Sequence, residues 1–147
     1  MFTETAMRPI PPYSLWLGHV GDARDLRAIL SAGIAAFVDL ALNEPPVAVT
    51  RELVYCRFPL LDGADNPPWL LRAAVETTAA LLRANVATLV FCSAGLSRTP
   101  AIAACALARV NSRSPEECLA EIARAGKCDV STTLWREVVA AMGERVV

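Results

Sequence analysis

The stretch LVFCSAGLSRTPAIA, residues 89–103, constrains the fold more than any other part of the chain. It follows from VATLVF (86–91), an apolar run that reads as a strand with few polar atoms and therefore central in its sheet. Cys92 ends that strand. Gly95 permits the positive φ that a tight loop often needs. Thr99 and Pro100 read as the cap and first residue of a helix over 99–110. A strand, a short glycine turn and a helix thus follow one another within a few residues.

The flanking segments extend this pattern. YSLWLG (13–18) reads as a short strand, and DARDLRAILSAG (22–33) as one amphipathic helix ending at Gly33. IAAFVDL (34–40) reads as a buried strand, NEPP (43–46) as loop, and ELVYCRFPLL (52–61) contains a further strand. DGADNPPW (62–69) is loop, with Pro67 and Pro68 at the start of a helix through 69–84. Two more helices follow 99–110. One starts at SPEE, with Ser114 as cap, and the other spans 132–143 up to Gly143. Strands alternating with helices, then helices alone, predict an α/β fold. The expectation is a single domain over 1–147, with 1–12 an N-terminal extension and a central, mostly parallel sheet of four to five strands flanked by helices.

Composition narrows the function classes. Fourteen basic residues balance fifteen acidic ones, which argues for neither nucleic acid nor an anionic membrane surface as a partner. Apolar residues reach 54%, yet no uninterrupted apolar run approaches the ~20 residues of a membrane span. MFTETAMRPIPP has no basic region followed by an apolar block, so the expected location is cytoplasmic, and a monomer is expected. The five cysteines have neither the spacing of a disulfide framework nor that of a metal clip, and His19 is the only histidine. No metal or cofactor is expected.

The spacing C-x5-R is weak evidence taken alone, because Cys118 and Arg124 share it. CLAEIAR, however, has helical periodicity, no glycine and no preceding strand, so Cys118 reads as core. The context of Cys92 is different. Its loop can turn successive backbone N–H groups of Ser93, Ala94, Gly95, Leu96 and Ser97 inward as an anion nest. The helix adds the partial positive charge of its N-terminus. Arg98 offers a planar fork for two oxygens. Surroundings of that kind favour a cysteine's thiolate. One loop would then bind a phosphoryl dianion and supply the nucleophile, while side chains at the variable positions point outward.

CSAGLSRT closely resembles the C-x-A-G-x-S-R-[S/T] loop of the dual-specificity phosphatases, within the cysteine-based protein tyrosine phosphatase superfamily. LWLGHVGDARDL, GIAAFVDL and FPLLDGADNPP resemble further segments in the family's order, so the resemblance runs over roughly 13–142. It implies hydrolysis of phosphotyrosine, phosphoserine or phosphothreonine monoesters, on a protein or a small molecule, through a phosphocysteine. Cys92 would be the nucleophile. Arg98 and the loop amides would bind the phosphoryl oxygens, and Thr99 would stabilise the departing thiolate unless it is a plain helix cap. Asp62, three residues after Pro59, would be the general acid, with Asp65 the alternative. The chain departs from the family at Phe91, where histidine is usual, and in GKCDVSTTLW (126–135), which lacks the family's Arg-Pro and Asn. His19 matches no motif position and reads as a surface or structural histidine. The family's phosphoinositide-cleaving members carry lysines inside the loop, whereas Ser93, Ala94, Leu96 and Ser97 are uncharged, although Arg57 or Arg72 could line the rim. Two rival readings are a non-catalytic phosphate-binding module and a rhodanese-like sulfurtransferase. Cys56 and Cys105 read as buried structural thiols in preference to redox partners of Cys92.

Overall fold

A computed structural model describes residues 7–143. Its sheet is built from β1 (Arg8–Pro9), β2 (Leu15–His19), β3 (Ala36–Ala41), β4 (Val54–Leu60) and β5 (Thr88–Cys92). The strand order is β1-β2-β5-β3-β4. All neighbours run parallel except β1, which pairs antiparallel with β2. Every residue of β3 and β5 is buried. This is the pattern of parallel strands covered on both faces, and it puts β5 at the centre, as its apolar sequence predicts. Residues 8–9, assigned to an extension by sequence, add the antiparallel edge strand, and Ile10 joins the core.

Among the described residues six helices cover the sheet: α1 (Val20–Arg24), α2 (Leu26–Ala32), α3 (Pro68–Arg83), α4 (Arg98–Asn111), α5 (Pro115–Ala125) and α6 (Thr132–Gly143). One core cluster takes residues from α3 to α6 and the sheet face that carries Val38, Val90 and Cys92. The other combines α1, α2 and residues 47–55 with Phe37, Leu89 and Phe91. Successive strand residues face opposite ways. Phe91 and Cys92 therefore belong to different layers of the molecule.

Two helix boundaries differ from the sequence reading. The single helix expected over 22–33 is two, broken at Asp25, whose carboxylate accepts from the Ala28 N–H at 3.2 Å and caps α2. A short acid competes for backbone donors in this way and favours a cap over a helix interior. The helix expected from Thr99 begins at Arg98, with Ser97 as its cap residue, so Thr99 is inside the first turn and is not the cap. Pro100 still fits, because the first-turn N–H groups have no intrahelical acceptor. Elsewhere the reading holds closely. Ser114 and Glu117 form a reciprocal capping box on α5, and Pro68 opens α3. Among the described residues no helix is long and apolar enough to cross a membrane.

The ring of Phe91 is fully buried and meets Phe37 edge-on, with centroids 5.4 Å apart. An imidazole there would put two polar nitrogens in an apolar cluster. Phe91→His is expected to cost about 1–3 kcal/mol of stability. Urea unfolding monitored by fluorescence measures it, and an unchanged or raised midpoint would count against this assignment of the ring.

Candidate active site

Cys92, His19, Ala41 and Leu60 end four neighbouring parallel strands at one edge of the sheet. Loops at the carboxyl ends of parallel strands are where α/β sheets hold ligands. The chain between Cys92 and Arg98 bends back on itself there. Gly95, at φ 75°, donates its N–H to the Cys92 sulfur at 3.2 Å. A β-carbon added to Gly95 would lie 2.7 Å from the carbonyl oxygen of Gly18 on β2. Glycine is thus required twice, by its left-handed backbone and by the close approach of a second strand.

Cys92 is 2% exposed and lies at a pocket of about 170 Å³ shared with Asp62, Ser93, Ala94, Leu96, Ser97, Arg98 and Asp129. The Ser97 side chain makes no capping bond to the start of α4, where first-turn N–H groups have no intrahelical acceptor and can meet a ligand. Arg98 is 6% exposed. Its Nη1 donates to the carbonyls of Leu60 at 2.9 Å and Leu40 at 3.4 Å, and to Asn43 Oδ1 at 3.0 Å. Its Nε and the Thr99 hydroxyl are buried with no partner among the described residues. Buried polar atoms are rarely left unpaired. An unpaired nitrogen on a cation that lines the pocket at a helix N-terminus fits an oxyanion.

No protein-family model matches the chain, and no curated protein does. Solved structures do. Human DUSP28 superposes with a TM-score of 0.79 at 23% identity, over 92% of this chain and 94% of that one. A mouse putative dual specificity phosphatase complexed with zinc tungstate gives 0.81 at 20% identity, over 96% and 91%. The human tyrosine phosphatase-like serine/threonine/tyrosine-interacting protein gives 0.78 at 16%, over 95% and 97%. The chain has the dual-specificity phosphatase fold.

Within this phosphatase fold the two candidate acids separate. Asp62 lines the pocket of Cys92, and its Oδ1 accepts from the Ser97 hydroxyl at 2.6 Å. Ser97 Oγ in turn accepts from the Ser131 N–H at 2.8 Å, so its proton is directed at Asp62. Asp65 turns away at φ 78°, donates its N–H to Glu137 on α6 and lines a different pocket. Ser97 therefore does not point to solvent as the sequence suggests for variable loop positions; it is 7% exposed. Ser93 is also engaged, donating to Asn43 Oδ1 at 2.9 Å.

Sequence reasoning missed two residues. Asp129 borders the pocket, tied by its N–H to the Leu96 carbonyl at 2.8 Å. Asn43 reaches the loop from the segment that follows β3, across 55 residues of sequence. Neither has a local signal, since Asn43 stands in loop punctuation and Asp129 in a stretch without motif. Arg57, considered for the rim, instead spans the carbonyls of Ala41 and Glu44 at 3.0 and 2.8 Å, beside Asp39. Neither Arg57 nor Arg72 lines the pocket of Cys92. His19 caps α1, accepting the Gly21 N–H on Nδ1.

All five cysteines are free. Burial pushes the Cys105 thiol up to about 12, and burial likewise raises Cys56, Cys118 and Cys128. Among the described residues no cluster of ligands could hold a metal. Iodoacetamide at pH 7 is expected to alkylate Cys92 first, with inorganic phosphate slowing that reaction; peptide mass spectrometry reads the order. Gly95→Ala is expected to weaken any binding of inorganic phosphate at this loop while circular dichroism stays that of the parent. Calorimetry that finds parental affinity would refute the need for glycine.

Proposed function

We propose that the chain is a cysteine-dependent phosphomonoester hydrolase acting on phosphorylated proteins or small phosphomonoesters. The observation that carries this is the buried Arg98, which lines the same pocket as Cys92 and whose Nε has no partner among the described residues. A guanidinium so placed needs an anion with oxygens on a planar fork.

In the first step the Cys92 thiolate attacks phosphorus in line. A sulfur–phosphorus bond forms, and the bond to the leaving oxygen breaks. That oxygen takes the proton of the Asp62 carboxyl. Ser97 engages Oδ1, which leaves Oδ2 as the atom that can face the leaving group. Arg98 and the loop N–H groups stabilise the equatorial oxygens throughout. In the second step Asp62 accepts a proton from water, whose oxygen attacks phosphorus. The sulfur–phosphorus bond breaks and inorganic phosphate is released. The Thr99 hydroxyl donates to the returning thiolate.

Several features support turnover over phosphate binding alone. Nucleophile, cation, hydroxyl and acid are all retained, and Phe91, the one departure next to the nucleophile, packs in the opposite layer. A sulfurtransferase would have no use for an acid bonded to the loop. The uncharged loop side chains, with Asp62 and Asp129 at the mouth, favour a single phosphoryl group over a polyanion.

Hydrolysis of an aryl phosphate without added metal, inhibited by vanadate, is the direct test. Cys92→Ser is expected to lose turnover and keep phosphate binding; residual turnover at the parental rate would remove Cys92 from the mechanism. Asp62→Asn is expected to lower kcat about 100-fold on an alkyl phosphate, within the range for a lost general acid. An equal fall for Asp65→Asn with Asp62→Asn unaffected would reverse the assignment. Tungstate binding without turnover would favour a binding module.

A further inference from the structure

Asn43 lies outside the C-x5-R loop, on the segment that follows β3, yet it touches both ends of that loop. Its Oδ1 accepts from Ser93 Oγ at 2.9 Å and from Arg98 Nη1 at 3.0 Å. A guanidinium can only donate, so the amide atom facing Arg98 must be the oxygen, and the orientation of the amide is fixed. We propose that Asn43 is a positioning residue for the phosphate cradle. It holds Arg98 so that its Nε edge faces the ligand, and it locks the first variable residue of the loop to the last charged one.

Three features make Asn43 suited to this. First, it restrains only Nη1, which already meets the Leu60 and Leu40 carbonyls, and so leaves the Nε side of the fork unused by protein. Second, its acceptor is neutral. A carboxylate in its place would pair with the guanidinium and cancel charge that the ligand needs. Third, the segment carrying it is itself held. Arg57 Nη2 donates to the carbonyls of Ala41 and Glu44 on either side of Asn43. Tyr55 accepts from the Val47 N–H at 3.1 Å and donates to the buried Asp39 carboxylate at 2.5 Å. Burial, and then the hydrogen bond to Asp39, raise Tyr55 above its ordinary value, so it remains a donor throughout the working range. The Asn43 amide is therefore presented by a braced backbone, a condition for holding another side chain in one orientation.

The exposed position of Asn43 makes the variants tractable, because nothing packs over it. The inference rests on the phosphatase reading, and the measurements separate the two. Tungstate affinity by calorimetry needs no turnover. Asn43→Ala is expected to weaken tungstate binding at least ten-fold, with a matching fall in kcat/KM on an aryl phosphate. Its melting temperature should stay within about 2 °C of the parent, as expected for an exposed site. The Arg98 Nε–H resonance should broaden in the unliganded variant. A residue with a merely structural role would lower the melting temperature and leave tungstate affinity alone. Asn43→Asp keeps an acceptor for Ser93 and Arg98 and is expected to bind tungstate at least as weakly as Asn43→Ala. Parental tungstate affinity in either variant overturns the proposal. If the parent binds tungstate without hydrolysing esters, the catalytic reading fails, and the affinities of the variants still decide the role of Asn43. If the parent binds no tungstate, both fall.

Discussion

A guanidinium that is nine-tenths buried, with no carboxylate in salt-bridge range among the described residues, sets the terms for the rest of this structure. Burying a lone charge is costly unless strong acceptors surround it. Arg98 meets that demand in part, through carbonyls at the ends of β3 and β4 and the amide of Asn43. Those acceptors come from separate strands, so the side chain ties the carboxyl edge of the sheet to the start of α4. Its Nε keeps no partner among the described residues. Neutral acceptors orient the cation without discharging it, which is the condition under which a bound dianion gains most from it.

The close approach of β2 to the loop serves the same end. Gly95 can sit against the Gly18 carbonyl only because it lacks a β-carbon, and its left-handed φ turns its N–H toward the Cys92 sulfur. Loop shape is thus imposed from two sides, by β2 below Gly95 and by the residue-43 segment beside Arg98. Asp39, Tyr55 and Arg57 extend the second constraint inward through a buried polar network. Such networks rigidify to the extent that their members are satisfied: both carboxylate oxygens of Asp39 accept a hydrogen bond, while Arg57 Nε, 3.6 Å from Asp39 Oδ2, has no hydrogen-bond partner among the described residues.

Much of this was legible from the residues, because it is local. Cys92, Gly95 and the helix that follows are consecutive, and the central place of β5 follows from its lack of polar atoms. Asp62 could be ranked above Asp65 because it follows a predicted strand and stands three residues after Pro59, as the family resemblance implies. The rest depends on tertiary contact. Asn43 and Asp129 meet the loop across long stretches of chain, and their own neighbourhoods carry no periodicity or motif that would mark them. The start of α4 was misplaced at Thr99 for a related reason. Threonine before proline is a good local cap signal, but Ser97 is the residue that the fold engages, through Asp62 and Ser131. Asp25 shows the opposite error: an apolar periodicity suggested one helix, and a single short acid divides it.

Phe91 is the departure that weighed most against function in the sequence, and the sheet changes its meaning. A residue adjacent in sequence to a nucleophile at the end of a strand is not adjacent in space, because the pleat sends the two side chains into opposite layers. The position can influence Cys92 only through the backbone or through whatever its side chain braces. Phe91 braces by packing, edge-on against Phe37 in a fully apolar cluster, and so fixes the end of β5 without a hydrogen bond. The orientation of the loop is then carried by groups on the other side of the sheet edge, namely Asn43 on Arg98 and Ser93, and Ser97 on Asp62. The end of β5 is thus held by apolar packing, and the loop from Cys92 to Arg98 by neutral amide and hydroxyl groups at the sheet's edge.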